Sequence, residues 1–173
     1  LSILSANITA IVDGPYDINK NGKTESFVLN DPDFSIKWIE FEGVSKKTHL
    51  WQYKSNDLEK YVDLEVFDLN SDGYDDLITL VDLSLSVSEK SWLHVFLGED
   101  NGFKKEPLKL RNFNRNQNFF RPSNFTLLQG NPVKFAVALG ATVREAMLFE
   151  LNIEDGILLL YNSEFLREPN TNN

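Results

Sequence analysis

The sequence predicts an all-β chain built from antiparallel four-stranded units. Two observations predict it. Segments such as "YVDLEVFDL" (61–69) and "LITLVDLSLSV" (77–87) are rich in Val, Ile and Leu with partial two-residue alternation, which is a strand signal. An acidic, glycine-centred turn also recurs, beginning at Asp17 and again 51 residues later at Asp68. A fixed period near 50 residues is the mark of a repeat architecture.

The second turn, "DLNSDGYDDL" (68–77), is the fuller copy. Counted from Asp68, oxygen-bearing side chains fall at positions 1, 3, 5 and 9: Asp68, Asn70, Asp72 and Asp76. Gly73 at position 6 permits a sharp bend, and the Tyr74 carbonyl at position 7 adds an oxygen. Four carboxylates this close together repel one another unless a cation lies among them, and oxygen ligands at this spacing suit calcium. An EF-hand requires Glu at position 12, where this chain has Thr79, and the flanks read as strands. The expected element is a calcium-clamped β-hairpin, weighed against an ordinary acidic solvated turn.

The first turn, "DINKNGKTES" (17–26), repeats the register with Asp17, Asn19, Asn21, Gly22 and Glu25, and Lys23 supplies the position-7 carbonyl. It carries two carboxylates among its four side-chain ligands against three in the second, so it is expected to bind calcium more weakly. A third copy survives in outline in "NFTLLQGNPVKFAVALG" (124–140), where Gly130 stands 57 residues after Gly73. Its ligand positions hold Phe125, Leu127, Gln129 and Val133, so a bare turn is expected there. Two Ca2+ sites are therefore expected in the chain.

A second hairpin completes each unit: "SIKWIEFEG" (35–43), "WLHVFLGEDNGF" (92–103) and "EAMLFELNIEDGILLLY" (145–161), the last with an Asp155-Gly156 turn. The approximate units are 8–58, 59–110 and 119–165, forming one repeat domain over 1–173 with a flexible tail at 166–173. Four strands per ~40–50 residues is the size of a β-propeller blade.

"FDLNSDGYDDLITL" followed by "VFLGEDNGF" resembles the FG-GAP/VCBS repeats of integrin α-subunits and many bacterial surface proteins. The resemblance is fullest over about 61–103, extends to 11–43, and persists in outline over 119–160. It implies calcium between the first two strands of a blade, β-propeller architecture, and an extracellular, cell-surface or periplasmic location. It implies adhesion or protein and glycan binding more often than catalysis. A closed ring needs at least about four blades, and this chain holds three. The expected solutions are a partial propeller, a ring completed by further propeller blades from another chain in an oligomer or large assembly, or sandwich-like packing of the three units.

Composition narrows the function. The chain has 173 residues, 42% of them hydrophobic, enough for one domain with a real core. No apolar run approaches the ~18 residues of a membrane-spanning helix, and a net charge of −9 argues against bulk nucleic acid as a partner. Cysteine is absent, which excludes disulfides, thiolate zinc sites and cysteine nucleophiles. The chain opens on Leu1 without a basic-then-apolar leader, as expected of a processed form or of a piece of something longer.

The charge is uneven. Residues 104–134 carry +6, leaving −15 on the rest. Within that segment, "RNFNRNQNFFRPSN" (111–124) interleaves Arg111, Arg115 and Arg121 with Phe119 and Phe120. These five form a candidate surface for an acidic protein partner or an anionic glycan, weighed against a connection whose Phe residues enter the core. Trp38, Trp51 and Trp92 are expected in the core rather than on a sugar platform. His49 and His94 lie in no catalytic or metal spacing and are expected to be structural. The expected function is a non-enzymatic, calcium-stabilised binding, adhesion or assembly module. The alternatives are a secreted enzyme-inhibitor or immunity-type protein, and a propeller-based carbohydrate-active enzyme.

Overall fold

The computed structural model describes residues 11–31, 33–43, 45–55, 59–82, 91–111, 122–128, 133–139 and 145–167. The described residues form strands and turns and contain no helix. The first sheet runs β1 (Ile11–Tyr16), β2 (Glu25–Asp31), β3 (Ser35–Glu42) and β4 (Lys46–Lys54), each hydrogen-bonded to the next. The second holds β5 (Lys60–Phe67), β6 (Asp76–Asp82), β7 (Ser91–Phe96) and, as its fourth strand, β10 (Leu108–Arg111). Between β7 and β10 lies a small ribbon of β8 (Gly98–Glu99) and β9 (Gly102–Phe103). The third sheet runs β11 (Pro122–Leu128), β12 (Lys134–Leu139), β13 (Glu145–Glu154) and β14 (Ile157–Arg167).

All three sheets are thus open antiparallel meanders, and the described residues form no closed ring. Local chemistry sets the reversals. The acidic turns join β1 to β2 and β5 to β6, and Asp155-Gly156 joins β13 to β14 with both residues at positive φ (50° and 74°), as a two-residue hairpin turn requires. One element differs from expectation. "LGEDNGF" does not supply the fourth strand of the second unit; it folds back on itself, and β7 pairs instead with β10 through Leu93↔Leu110 and Val95↔Leu108. β14 keeps its pairing as far as Glu145↔Arg167, and residues 168–173 of the expected tail lie outside the described residues.

The sheets pack face to face around two apolar cores. Phe27, Leu29, Ile36 and Trp38 of the first sheet meet Tyr61, Leu64, Leu77, Val81 and Phe96 of the second. On the other face of the second sheet, Ile78, Leu80, Trp92, Leu93 and Val95 meet Phe125, Phe135, Val137, Met147 and Phe149 of the third. The second sheet is therefore covered on both sides. That is why β7 is buried at every residue and why "DLITLVD" of β6 reads as a nearly continuous apolar run. Trp38 and Trp92 are buried in these cores, as expected.

The β8–β9 ribbon fastens the first two sheets together. Phe103 enters the first core with its ring 5.4 Å from both Trp38 and Trp51, and Trp51 Nε1 donates to the Phe103 carbonyl at 2.7 Å. A second clasp joins the other pair of sheets. β11 is an edge strand with unpaired amides, and side chains of β5 cover them: Asp63 Oδ2 accepts the Phe125 N–H at 2.7 Å and Glu65 Oε1 the Leu127 N–H at 3.1 Å. Burial pushes both carboxyls above their ordinary range, against the lowering effect of those amides.

Candidate metal centre

The two acidic turns repeat the same three side-chain-to-backbone hydrogen bonds. In the second, the Asp68 carboxylate accepts the Gly73 N–H at 3.0 Å, Asn70 Oδ1 accepts the Asp72 N–H at 3.0 Å, and Asp72 Oδ1 accepts the Tyr74 N–H at 3.0 Å. In the first, Asp17 accepts the Gly22 N–H at 3.1 Å, Asn19 Oδ1 the Asn21 N–H at 3.1 Å, and Asn21 Oδ1 the Lys23 N–H at 2.8 Å. Short Asp and Asn side chains bond their own backbone two residues on, which is why they recur at alternate positions.

The backbone agrees. Position 4 is left-handed in both turns (Lys20 at 57°, Ser71 at 59°), and so is position 6 (Gly22 at 80°, Gly73 at 92°). A Cβ at either glycine would meet nothing within 4 Å, so glycine is needed there for its conformation and not for space.

Position 9 is buried in both turns and anchors the turn to the sheet. Asp76 Oδ2 accepts the Leu69 N–H at 2.9 Å and its Oδ1 the Gly98 N–H at 2.8 Å, tying the turn to the β8–β9 ribbon. Gly98 must approach closely: a Cβ there would lie 2.3 Å from the Asp75 carbonyl oxygen. Glu25 Oε2 accepts the Ile18 N–H at 2.8 Å and Trp38 Nε1 at 3.1 Å, while its Oε1 is buried without a hydrogen-bond partner. Burial raises both carboxyls above their ordinary range, and the charges of Asp72 and Asp68 raise Asp76 further, as Asp17 does Glu25.

The turns differ in their surroundings. Glu40 of β3 stands beside the first turn, taking the amides of Asn19 and Asn21 and the Lys23 ammonium, the last at 2.9 Å. Those contacts hold its carboxyl below the ordinary range. Glu40 became a neighbour through the register Glu25↔Glu40, which no local motif announces. In the second turn the Tyr74 hydroxyl instead donates to Asp100 of the ribbon turn.

Among the described residues, no group of three or more His, Asp or Glu side chains is gathered as a metal site. Asp76 is drawn inward onto amides, which leaves Asp68 and Asp72 as the outer carboxylates of their turn, with Asn70 Oδ1 and Asp68 Oδ1 sharing the Asp72 N–H. The donor set still fits a hard cation, because it consists of carboxylate, amide and carbonyl oxygens. The orphaned Glu25 Oε1 is a second mark of fit, since a buried carboxylate oxygen without a donor is costly. Of the candidate partner residues, Arg111 ends β10 opposite Ser91, while Arg115, Phe119, Phe120 and Arg121 lie outside the described residues.

A second polar group lies between the first two sheets and was not legible as a motif. Ser55 Oγ donates to Glu59 Oε2 at 2.8 Å, and Lys109 Nζ pairs with Glu59 Oε1 at 2.9 Å. His94 is fully buried, with Nδ1 3.3 Å from the Tyr61 hydroxyl and Nε2 3.6 Å from Glu59. Burial pulls the imidazole down to about 4, with Lys109 adding to the effect and Glu59 opposing it. His94 is therefore neutral at neutral pH, and Lys109 is the counter-ion of Glu59.

No helix among the described residues is long and apolar enough to cross a membrane. Compared with protein-family models, curated proteins and solved structures, the chain matches none.

Proposed function

We propose that the chain is a non-enzymatic, calcium-stabilised binding or assembly module whose three meanders stack as propeller-type blades. The observation that carries this reading is the equivalence of the two acidic turns. Each joins the first two strands of its meander, with the same amide-to-carboxylate bonds and the same two left-handed positions. Calcium would supply positive charge among oxygens that otherwise repel, in the second turn from Asp68, Asn70, Asp72, Asp76 and the Tyr74 carbonyl. Asp17, Asn19, Asn21, Glu25 and the Lys23 carbonyl would serve in the first.

The chain's own residues set the rest. Asp76 and Glu25 bind each turn to its sheet, and the ribbon and the β5 carboxylates fasten one sheet to the next. The product is a scaffold for a protein or glycan partner, and Arg111, Arg115, Phe119, Phe120 and Arg121 remain the candidate contacts that the sequence offers for it. An extracellular, cell-surface or periplasmic setting, where calcium is plentiful, agrees with this reading.

The test is thermal unfolding in millimolar calcium and in EGTA. A ligand that binds only the folded state at a hundredfold excess over Kd stabilises it by about 2.7 kcal/mol, worth roughly 5–10 °C in a domain of this size. A melting temperature unmoved by chelation removes the calcium reading.

A further inference from the structure

Glu25 of β2 and Glu40 of β3 stand directly opposite each other in the first sheet, so their side chains share one face. Both are buried, at 0% and 7% exposure. Like charges so placed repel unless positive charge comes between them. Lys23, at position 7 of the first turn, supplies some: its Nζ lies 2.9 Å from Glu40 Oε1. The amides of Asn19 and Asn21 approach the other oxygen, Oε2. Glu25 is served differently. Its Oε2 accepts the Ile18 N–H of the turn and Trp38 Nε1, and its Oε1 is buried with no donor. One half-exposed ammonium therefore answers two opposed carboxylates, and a buried acceptor is left over. The second turn is built otherwise, with Tyr74 at position 7 donating its hydroxyl to Asp100.

We propose that Glu40 is an additional calcium ligand of the first turn, and that Lys23 is the tethered cation which calcium must displace to reach it. The inference rests on the calcium reading and deepens it, adding one ligand from outside the turn and one competitor within it. Glu40 raises the carboxylates of the first turn from two to three, the number in the second turn. By ligand charge alone the two sites are then matched. The Lys23 ammonium is what makes the first site weaker, because calcium bound there breaks the Lys23–Glu40 pair. Asn19 and Asn21 do not block the exchange. Each Oδ1 accepts one backbone N–H and keeps a second lone pair for a cation. An ammonium offers three donors, whereas calcium takes six to eight oxygens and so can answer Glu25 and Glu40 together. Lys23 thus has two opposed roles, its carbonyl among the ligands and its ammonium against the metal.

The test uses the whole chain carrying Asp68→Asn/Asp72→Asn, which leaves the first turn as the calcium site to be read. The probe is calcium itself, measured by equilibrium dialysis. Lys23→Met keeps the stem and the carbonyl, removes the charge, and should tighten binding about tenfold, while Glu40→Gln should weaken it about tenfold. Lys20→Met removes the same charge from the same turn, but Lys20 is not among the partners of Glu40 in the described residues. It should change binding by about twofold or less, since an exposed charge out of contact is screened. A second readout is independent of affinity: acetic anhydride should modify the Lys23 amine several-fold faster once calcium has released it. If Glu40→Gln does not fold, Lys23→Met, at a half-exposed side chain, and the labelling rate carry the test. Lys23→Met binding no tighter than Lys20→Met, Glu40→Gln binding like its parent, or labelling of Lys23 unchanged by saturating calcium would overturn the proposal. Calcium bound at neither turn of the wild-type chain would remove the metal reading and this inference together. Calcium held at the second turn, with Lys23→Met and Glu40→Gln both without effect on the first, would remove this inference alone.

Discussion

Replacing His94 by Phe should remove a specific share of the chain's sensitivity to acid. The imidazole is completely buried between Tyr61, Glu59 and Lys109, and burial lowers it from 6.5 to about 4. Between those values the unfolded chain takes up a proton that the folded chain refuses. The stabilising contribution is therefore complete above pH 6.5 and is lost as pH falls toward 4. At about 1.4 kcal/mol per pH unit, the interval amounts to about 3 kcal/mol, of which roughly 1.4 is gone by pH 5.5. The assay is urea unfolding of wild type and His94→Phe at pH 7.5, 5.5 and 4, in calcium-depleted buffer so that calcium plays no part. Raised carboxyls such as Asp76, Glu25, Asp63 and Glu65 act in the opposite sense, but they are common to both proteins and cancel in the difference. Wild type should lose about 3 kcal/mol relative to the variant across this range. Parallel curves would refute the reasoning, because they would mean that His94 is hydrated or already paired in the folded state.

Two further substitutions test the turn anchors. Gly98→Ala should destabilise by about 2–3 kcal/mol, since its Cβ would meet the Asp75 carbonyl oxygen at 2.3 Å, whereas Gly73→Ala, with open space but φ of 92°, should cost only about 1–2 kcal/mol. Comparison of their urea midpoints decides the order, and equal losses would mean that close packing at Gly98 is relieved by a backbone shift. Asp76→Ala strands the amides of Leu69 and Gly98 beside a buried site and should cost about 2–4 kcal/mol, measurable in EGTA and so without any metal contribution.

What could be read from the chain was what depends on neighbours in sequence. The acidic turns were legible because Asp, Asn and Gly at positions 1, 3, 5 and 6 bond to amides only two to five residues away, so spacing alone specifies the bend. The strands beside them followed from the same local signals, as did the Asp155-Gly156 hairpin. What depends on register across strands was hidden. Glu40 reaches the first turn only through its pairing with Glu25, and Glu59 meets Lys109 and His94 across strands far apart in the chain. The excursion of "LGEDNGF" into its own ribbon was missed because its cause is distant: Phe103 is drawn into the aromatic core of the first sheet, and Gly98 is held by Asp76.

The measurement that bears most directly on the central claim is calcium stoichiometry by equilibrium dialysis, on the wild-type chain and on the variant Asp68→Asn/Asp72→Asn. The account predicts two bound calcium ions per chain, with the weaker at the first turn, and a single weak site in the variant. No bound calcium at millimolar concentration, or two sites undiminished in the variant, would contradict it.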